Sequence, residues 1–173
     1  YTMANFQFSQ SKINLAYVSL ASFEAEKMLD LTGQKFLSER EGTRYKAYQD
    51  SKGVWTIGRG ITYYEDGTSV KKGDTITPQR EMQLFNNTIQ FYVKKVNEYV
   101  TARINQNQFN ALVSFAYNVG TNALKTSTLL KRVNKNPADP DIRVQFMKWV
   151  NSGGKKIPGL VTRRKYEAKL YFS

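Results

Sequence analysis

The chain contains neither cysteine nor histidine. Without cysteine there is no disulfide framework, no thiol nucleophile and no thiolate metal ligand. Without histidine, Ser-His-Asp catalysis and His-containing metal sites are excluded too, so no metal and no cofactor are expected. Proton transfer near neutral pH then falls to carboxylates, lysines or tyrosines. Long apolar runs are scarce. The best candidate, Ile13–Phe23, has eleven residues and includes Asn14 and two serines, far short of the ~20 needed to span a bilayer. Lys12 precedes it, which gives it the outline of a weak export signal, but a packed strand or amphipathic helix is the expectation. The opening Tyr1-Thr2-Met3 reads as a processed start or an expression scar.

A length of 173 residues, with 40% hydrophobic and 23% charged content, predicts one soluble globular domain large enough to be pinched into two lobes. The net charge of +12 is uneven: residues 1–50 carry six basic and six acidic side chains, whereas residues 101–173 carry thirteen against three. A basic face attracts polyanions, whether nucleic acid, anionic lipid or an acidic wall polymer, or is simply a solvated surface. No zinc-finger or RNP signature is present, so specific nucleic-acid binding is not expected.

Along the chain, residues 1–22 alternate loosely and suggest no chemistry. Ser22 is placed to cap a helix from Phe23, with Met28 and Leu29 among its apolar positions. Gly33 should interrupt it, with a second helix from Gln34 to about Glu41 ended by Gly42. Residues 45–64 favour a small twisted sheet turning at Asp50–Gly53. Glu65–Thr68 and Lys71–Asp74 read as a turn and a polar loop.

Thr77-Pro78 opens the clearest helix, Thr77 as N-cap and Pro78 at its first position. Its stripe of Met82, Phe85, Ile89, Tyr92 or Val93, Val96 and Val100 covers some 23 residues, long enough to bridge two lobes. Asn105 or Asn107 can cap a core helix through Phe109, Leu112, Val113, Phe115 and Ala116, closed by Gly120, and Asn105 with Gln108 has the capping-box pattern. Further helices are expected over Ser127–Asn134, from Asp139-Pro140, and after Pro158-Gly159, with a loop at Ser152–Lys156.

The stretch from Glu41 to Gly60 concentrates the chemistry. It offers Glu41, Asp50 and the hydroxyl of Thr56 among glycines and aromatics. A carboxylate in the last turn of a helix meets the negative end of the dipole, which favours the protonated form a general acid needs. Taken alone, each residue also has an ordinary reading. Glu41 would be a surface glutamate at a helix end, and Asp50 a turn residue capping its own backbone. Gly58 and Gly60 do not form a dinucleotide or Walker loop, because no Gly-rich run leads into a helix and the Lys-Ser/Thr pair is missing.

Residues 34–173 resemble the phage-type lysozymes of glycoside hydrolase family 24, the endolysins. The resemblance runs through Glu41-Gly42, Ala47–Asp50, Lys52-Gly53, Thr56–Gly60, Gln106–Phe115, Asn118–Gly120, Ser127–Leu130, Gly153–Lys155 and Gly159–Arg164. It implies an α+β fold, a small α/β lobe and a larger helical lobe joined by a long helix. The corresponding division is residues 1–33 as an extension of unassigned role, 34–77 as the small lobe, 78–100 as the connecting helix and 101–173 as the basic helical lobe. The family's catalytic glutamate, aspartate and threonine fall on Glu41, Asp50 and Thr56. The arginine beside the acid matches Arg163 best and Arg164 second; such a neighbour opposes a protonated Glu41, so coupled titration is expected.

The activity implied is hydrolysis of the β-1,4 bond between N-acetylmuramic acid and N-acetylglucosamine, with inversion. The partner implied is bacterial peptidoglycan, approached by a monomer whose basic lobe meets anionic wall or membrane surfaces. Synthesis in the infected host cytoplasm and action on the wall after release, or association with a virion, go with it. Ile61 stands where the family usually has histidine, which bears on local packing. The alternatives are a catalytically silent wall-binding or phage structural relative, and a lytic transglycosylase using the same acid.

Overall fold

The computed structural model of the protein describes residues 26–173. The expected helix start at Ser22-Phe23 and the apolar run Ile13–Phe23 lie outside the described residues. Met28 and Leu29 are not helical. The first described helix, α1 (Leu31–Glu41), starts earlier than Gln34 because Asp30 caps it, accepting from the Gly33 amide at 2.9 Å.

Gly33 therefore does not interrupt a helix; it sits in the first turn of one. Its place there is steric: a Cβ at Gly33 would fall 2.5 Å from Leu29 Cδ1 and 2.6 Å from Asn110 Oδ1. At the far end Gly42, with φ +68°, closes α1 by donating to Ser38 O at 2.9 Å. Glu41 is thus the last residue of a helix, as its sequence context implied.

After α1 the chain forms a twisted antiparallel pair, β1 (Arg44–Gln49) and β2 (Trp55–Gly58), with Tyr48 opposite Thr56 and an irregularity between Arg44 and Tyr48. Residues 74–76 run along the other edge of β1 through Ala47 N to Asp74 O and Ile76 N to Tyr45 O. The sheet is shorter than its β-branched and aromatic content suggested. Ile61 and Tyr63 make only isolated bridges, to Ile57 and Ser69, because turns at Arg59-Gly60 and Glu65–Gly67 break the run.

Helix α2 (Pro78–Tyr99) spans 22 residues, about 33 Å at the standard rise. Thr77 caps it from its side chain to the Arg80 amide, as the Thr-Pro start predicted. Its buried stripe is Leu84, Phe85, Ile89, Val93 and Val96, and Met82 is exposed rather than inward. A buried pair holds its first turn: Arg59 donates to both oxygens of Glu81 at 2.7 and 3.0 Å and to Ser38 Oγ at 2.7 Å. The same guanidinium lies 3.7 Å from the Phe85 ring centroid. One side chain so joins the end of α1, the turn after β2 and the start of α2.

The remaining helices enclose α3 (Gln106–Val119), whose capping box between Asn105 and Gln108 is complete. Phe109, Leu112, Val113, Phe115 and Ala116 are all buried, and α1, α2 and the last helix pack around them. Gly120 ends α3 and a short α4 (Thr121–Thr126) follows, which sequence patterning did not suggest. Then come α5 (Thr128–Lys135), capped by Ser127, and α6 (Asp141–Phe146). The expected loop at Ser152–Lys156 is a tight hairpin, β3 (Asn151–Ser152) with β4 (Lys155–Lys156). Helix α7 (Pro158–Tyr171) closes the chain, with its proline in the first turn. No helix among the described residues is long and apolar enough to cross a membrane.

The close approach at Gly33 generates a stability prediction. Helix propensity alone favours Gly33→Ala by roughly 1 kcal/mol, but the added methyl must displace Leu29 or the hydrogen-bonded Asn110. Overpacking of this kind costs about 1–3 kcal/mol, so urea unfolding should show a lower midpoint with an unchanged slope.

Candidate active site

The site grows from one surface of α3. Asn110, Ser114 and Asn118 recur every four residues and so share a face. Each holds a different part of the surrounding structure. Asn110 donates to Asp30 at 2.7 Å, fixing the cap of α1. Ser114 accepts from Arg163, at 3.1 Å through its carbonyl and 3.4 Å through its hydroxyl. Asn118 accepts from Arg164.

Arg163 then reaches across to Glu41, donating to Oε1 at 2.6 Å. Its side chain is 8% exposed and that of Glu41 16%, so the pair is largely shielded. The other carboxyl oxygen, Oε2, lies beside Gly60, where a Cβ would come within 3.2 Å of it. With φ +76° and no side chain, Gly60 leaves room at the oxygen that Arg163 does not occupy.

Three phenols surround this carboxyl. Burial raises the Tyr117 hydroxyl far above its usual range, helped by the negative charge of Glu41, and the hydroxyl donates to Arg59 O. Tyr92 is raised by the same two causes. Tyr48 is raised chiefly by burial, against the pull of Arg44, with smaller contributions from both Glu41 and Asp50. One phenol on β1 therefore feels the two carboxylates named from the sequence.

Asp50 sits at the turn between β1 and β2. Its Oδ1 accepts from the Lys52 amide at 2.8 Å and the Val54 amide at 2.9 Å. The turn-capping role is thus real. Across the ladder from Tyr48, Thr56 is 3% exposed, and its hydroxyl donates to Val54 O at 2.9 Å. With its proton committed there, the Thr56 oxygen can only accept a further hydrogen bond.

Arg164 is not brought to Glu41. Consecutive residues on a helix diverge by about 100°, and Arg164 turns into the core, fully buried, 5.0 Å from the Phe115 ring centroid and 2.8 Å from Glu167 Oε1. Burial lowers its pKa, against the attraction of Glu167. Being enclosed, it cannot touch a polymer. Ile61 is likewise buried, closing the Ile57–Ile61 bridge through two backbone hydrogen bonds. An apolar side chain therefore fills the position without strain at the site. Sequence reasoning did not single out Tyr48, Tyr92, Ser114, Tyr117 or Glu167. Only the four-residue spacing of Asn110, Ser114 and Asn118 could have pointed to a polar face within that apolar helix.

A cavity between the C-terminal half of α2, residues 100–104 and residues 26–28 lies apart from this cluster, and none of Glu41, Asp50, Thr56 or Arg163 lines it.

The Phage lysozyme family profile matches residues 38–167. The endolysin of Salmonella phage P22 is 39% identical over 139 residues, covering 79% of this chain and 92% of that protein. The endolysin of Bacillus phage B103 is 38% identical over 143 residues, but the chain spans only 52% of its length. Among solved structures, the endolysin from Escherichia coli O157:H7 phage FAHEc1 superposes with a TM-score of 0.79 at 33% identity, covering 85% of this chain and 94% of that one. The chain belongs to the phage lysozyme family.

Proposed function

We propose that the protein is an endolysin that hydrolyses the β-1,4 bond between N-acetylmuramic acid and N-acetylglucosamine in bacterial peptidoglycan. The observation that carries the reading is Glu41, anchored through Oε1 by Arg163, with the side-chain-less Gly60 beside Oε2. A carboxylic acid held in this way can present a proton to a glycosidic oxygen without losing its orientation.

The reaction follows from the donors and acceptors present. Glu41 protonates the leaving oxygen as the C–O bond breaks. A water is held by two acceptors, the Thr56 oxygen and the free edge of Asp50, so a lone pair is left for the anomeric carbon. Asp50 takes the proton that water releases, and solvent returns one to Glu41. Attack from the face opposite the leaving group inverts the anomeric centre. A transglycosylase would instead close the muramic acid 6-hydroxyl onto the same carbon. The two acceptors at Asp50 and Thr56, suited to a water, favour hydrolysis.

Residues 34–77 carry this chemistry, residues 78–100 connect, and residues 101–173 supply a basic face that draws the monomer to anionic walls. Action on the wall follows release from the cytoplasm of the infected host.

Three measurements test the reading. Glu41→Gln should lower the rate of wall clearing by roughly 10²–10⁴-fold with an unchanged circular dichroism spectrum and a lower melting temperature, since Arg163 loses its ionic partner; near-native clearing removes Glu41 as the acid. Mass spectra of digested peptidoglycan should show reducing ends, and 1,6-anhydro ends would assign the transglycosylase reaction. Adsorption of the Glu41→Gln protein to purified walls should weaken as ionic strength rises, because exposed charges beyond about 10 Å are screened at 0.1 M salt.

A further inference from the structure

An arginine at 2.6 Å from the acid poses a difficulty for catalysis. Alone, it would favour the carboxylate over the acid and remove the proton the reaction requires. The same guanidinium has a second carboxylate on its other side. Glu167, one turn along α7, lies with Oε2 3.8 Å from Arg163 Nε and Oε1 2.8 Å from an Arg164 nitrogen, and it is completely buried.

We propose that Glu167 is a positioning residue for the acid: acting through Arg163, its negative charge keeps the proton on Glu41. This rests on the reading of Glu41 as proton donor and extends it to what controls that proton.

The geometry favours action by charge over a purely structural clamp. Neither Glu167 oxygen makes an aligned hydrogen bond to the guanidiniums, and Arg163 Nε is likewise without one. A clamp built for stability uses the parallel fork of an Arg–carboxylate pair, as Arg59 and Glu81 do in this same chain. Glu167 is instead lodged between two arginines in a shielded site, where its field is strong. Burial pushes its carboxyl up, while Arg164, Arg163 and a hydrogen bond from the Ser114 hydroxyl pull it back toward the charged form.

The other titratable groups facing the cluster do not substitute for it. Tyr48, Tyr92 and Tyr117 are raised and stay neutral through the working range. Arg59 is engaged by Glu81, and Arg164 adds a further positive charge beside Arg163. Without Glu167, Arg163 would hold its charge against Glu41 with no carboxylate on its other side.

The sign follows. Lysis needs protonated Glu41, so the rate falls as pH rises through its ionisation, which sets the alkaline limb. Removing a nearby negative charge favours ionisation and moves that limb to lower pH. Glu167→Gln keeps the shape and removes the charge. Its alkaline limb, measured as reducing ends released from purified peptidoglycan, should move down by about one pH unit or more, with KM little changed and the rate at acid pH retained. An even loss of rate at every pH, with the limb in place, would overturn the proposal.

A second measurement uses the unaltered protein and does not depend on the variant folding. Carbon-13 NMR of labelled glutamate carboxyls should show Glu167 ionised at the pH where lysis is full, with an inflection where Glu41 titrates. A neutral Glu167 at that pH would also overturn it. If Glu41→Gln itself clears walls, the acid assignment fails; if Glu41→Gln is inactive and the Glu167→Gln limb does not move, only the role of Glu167 fails.

Discussion

The contact between Arg163 and Glu41 joins residues 122 positions apart, and the placement of the Glu41 carboxyl depends on it. A glutamate at the end of a helix has several rotamers and solvent on most sides; Arg163 selects one. Such a pair is costly to bury, because both ions lose water. It persists because the guanidinium is supported from behind by Ser114 and flanked by Glu167. Removing any one of these would leave a charge or a polar group in the core without its partner, which costs more than the contact itself contributes.

Behind this contact stands the polar face of α3. In an otherwise apolar helix, Asn110, Ser114 and Asn118 each take a partner from another element. The effect is to anchor α1 at both ends. Its cap residue Asp30 is held by Asn110, and its last residue Glu41 is held through Arg163 by Ser114. Arg59 adds a third tie, from Ser38 near the end of α1 to Glu81 on α2. A helix pinned this way keeps its terminal carboxyl in register with β1 and β2, the elements that bring Asp50 and Thr56.

Much of this was legible in the residues because it is local. The Thr77-Pro78 start, the Asn105–Gln108 box and the glycine ends at Gly42 and Gly120 all depend on neighbours within a few positions. What was illegible is long-range. Gly33 looked like a helix breaker, and only Asn110, far along the chain, explains why a glycine must be there. Met82 fitted the stripe of α2 by spacing but is exposed, the buried stripe running through Leu84, Phe85, Ile89, Val93 and Val96. Arg163, Arg164 and Glu167 are charged residues on the helix expected after Pro158-Gly159, yet they fill the core against α3. Charge is expected outside, so only the family resemblance pointed to Arg163, and nothing local pointed to Glu167.

Asp50 had two readings in the sequence, a turn cap or a participant in chemistry, and the geometry makes them compatible. A carboxylate has two oxygens. One is fixed by the Lys52 and Val54 amides, which sets the plane of the group and removes its rotational freedom. The other then points in a direction chosen by the turn and not by solvent. Thr56 is constrained in the same manner, its proton tied to Val54 O. Both groups use the backbone of a single short loop as their support. Preorganisation of this kind is what the proposed hydrolysis asks of two acceptors that hold a water without reorienting as charge develops. In that proposal the turn serves the chemistry, since it is what aims the free oxygen.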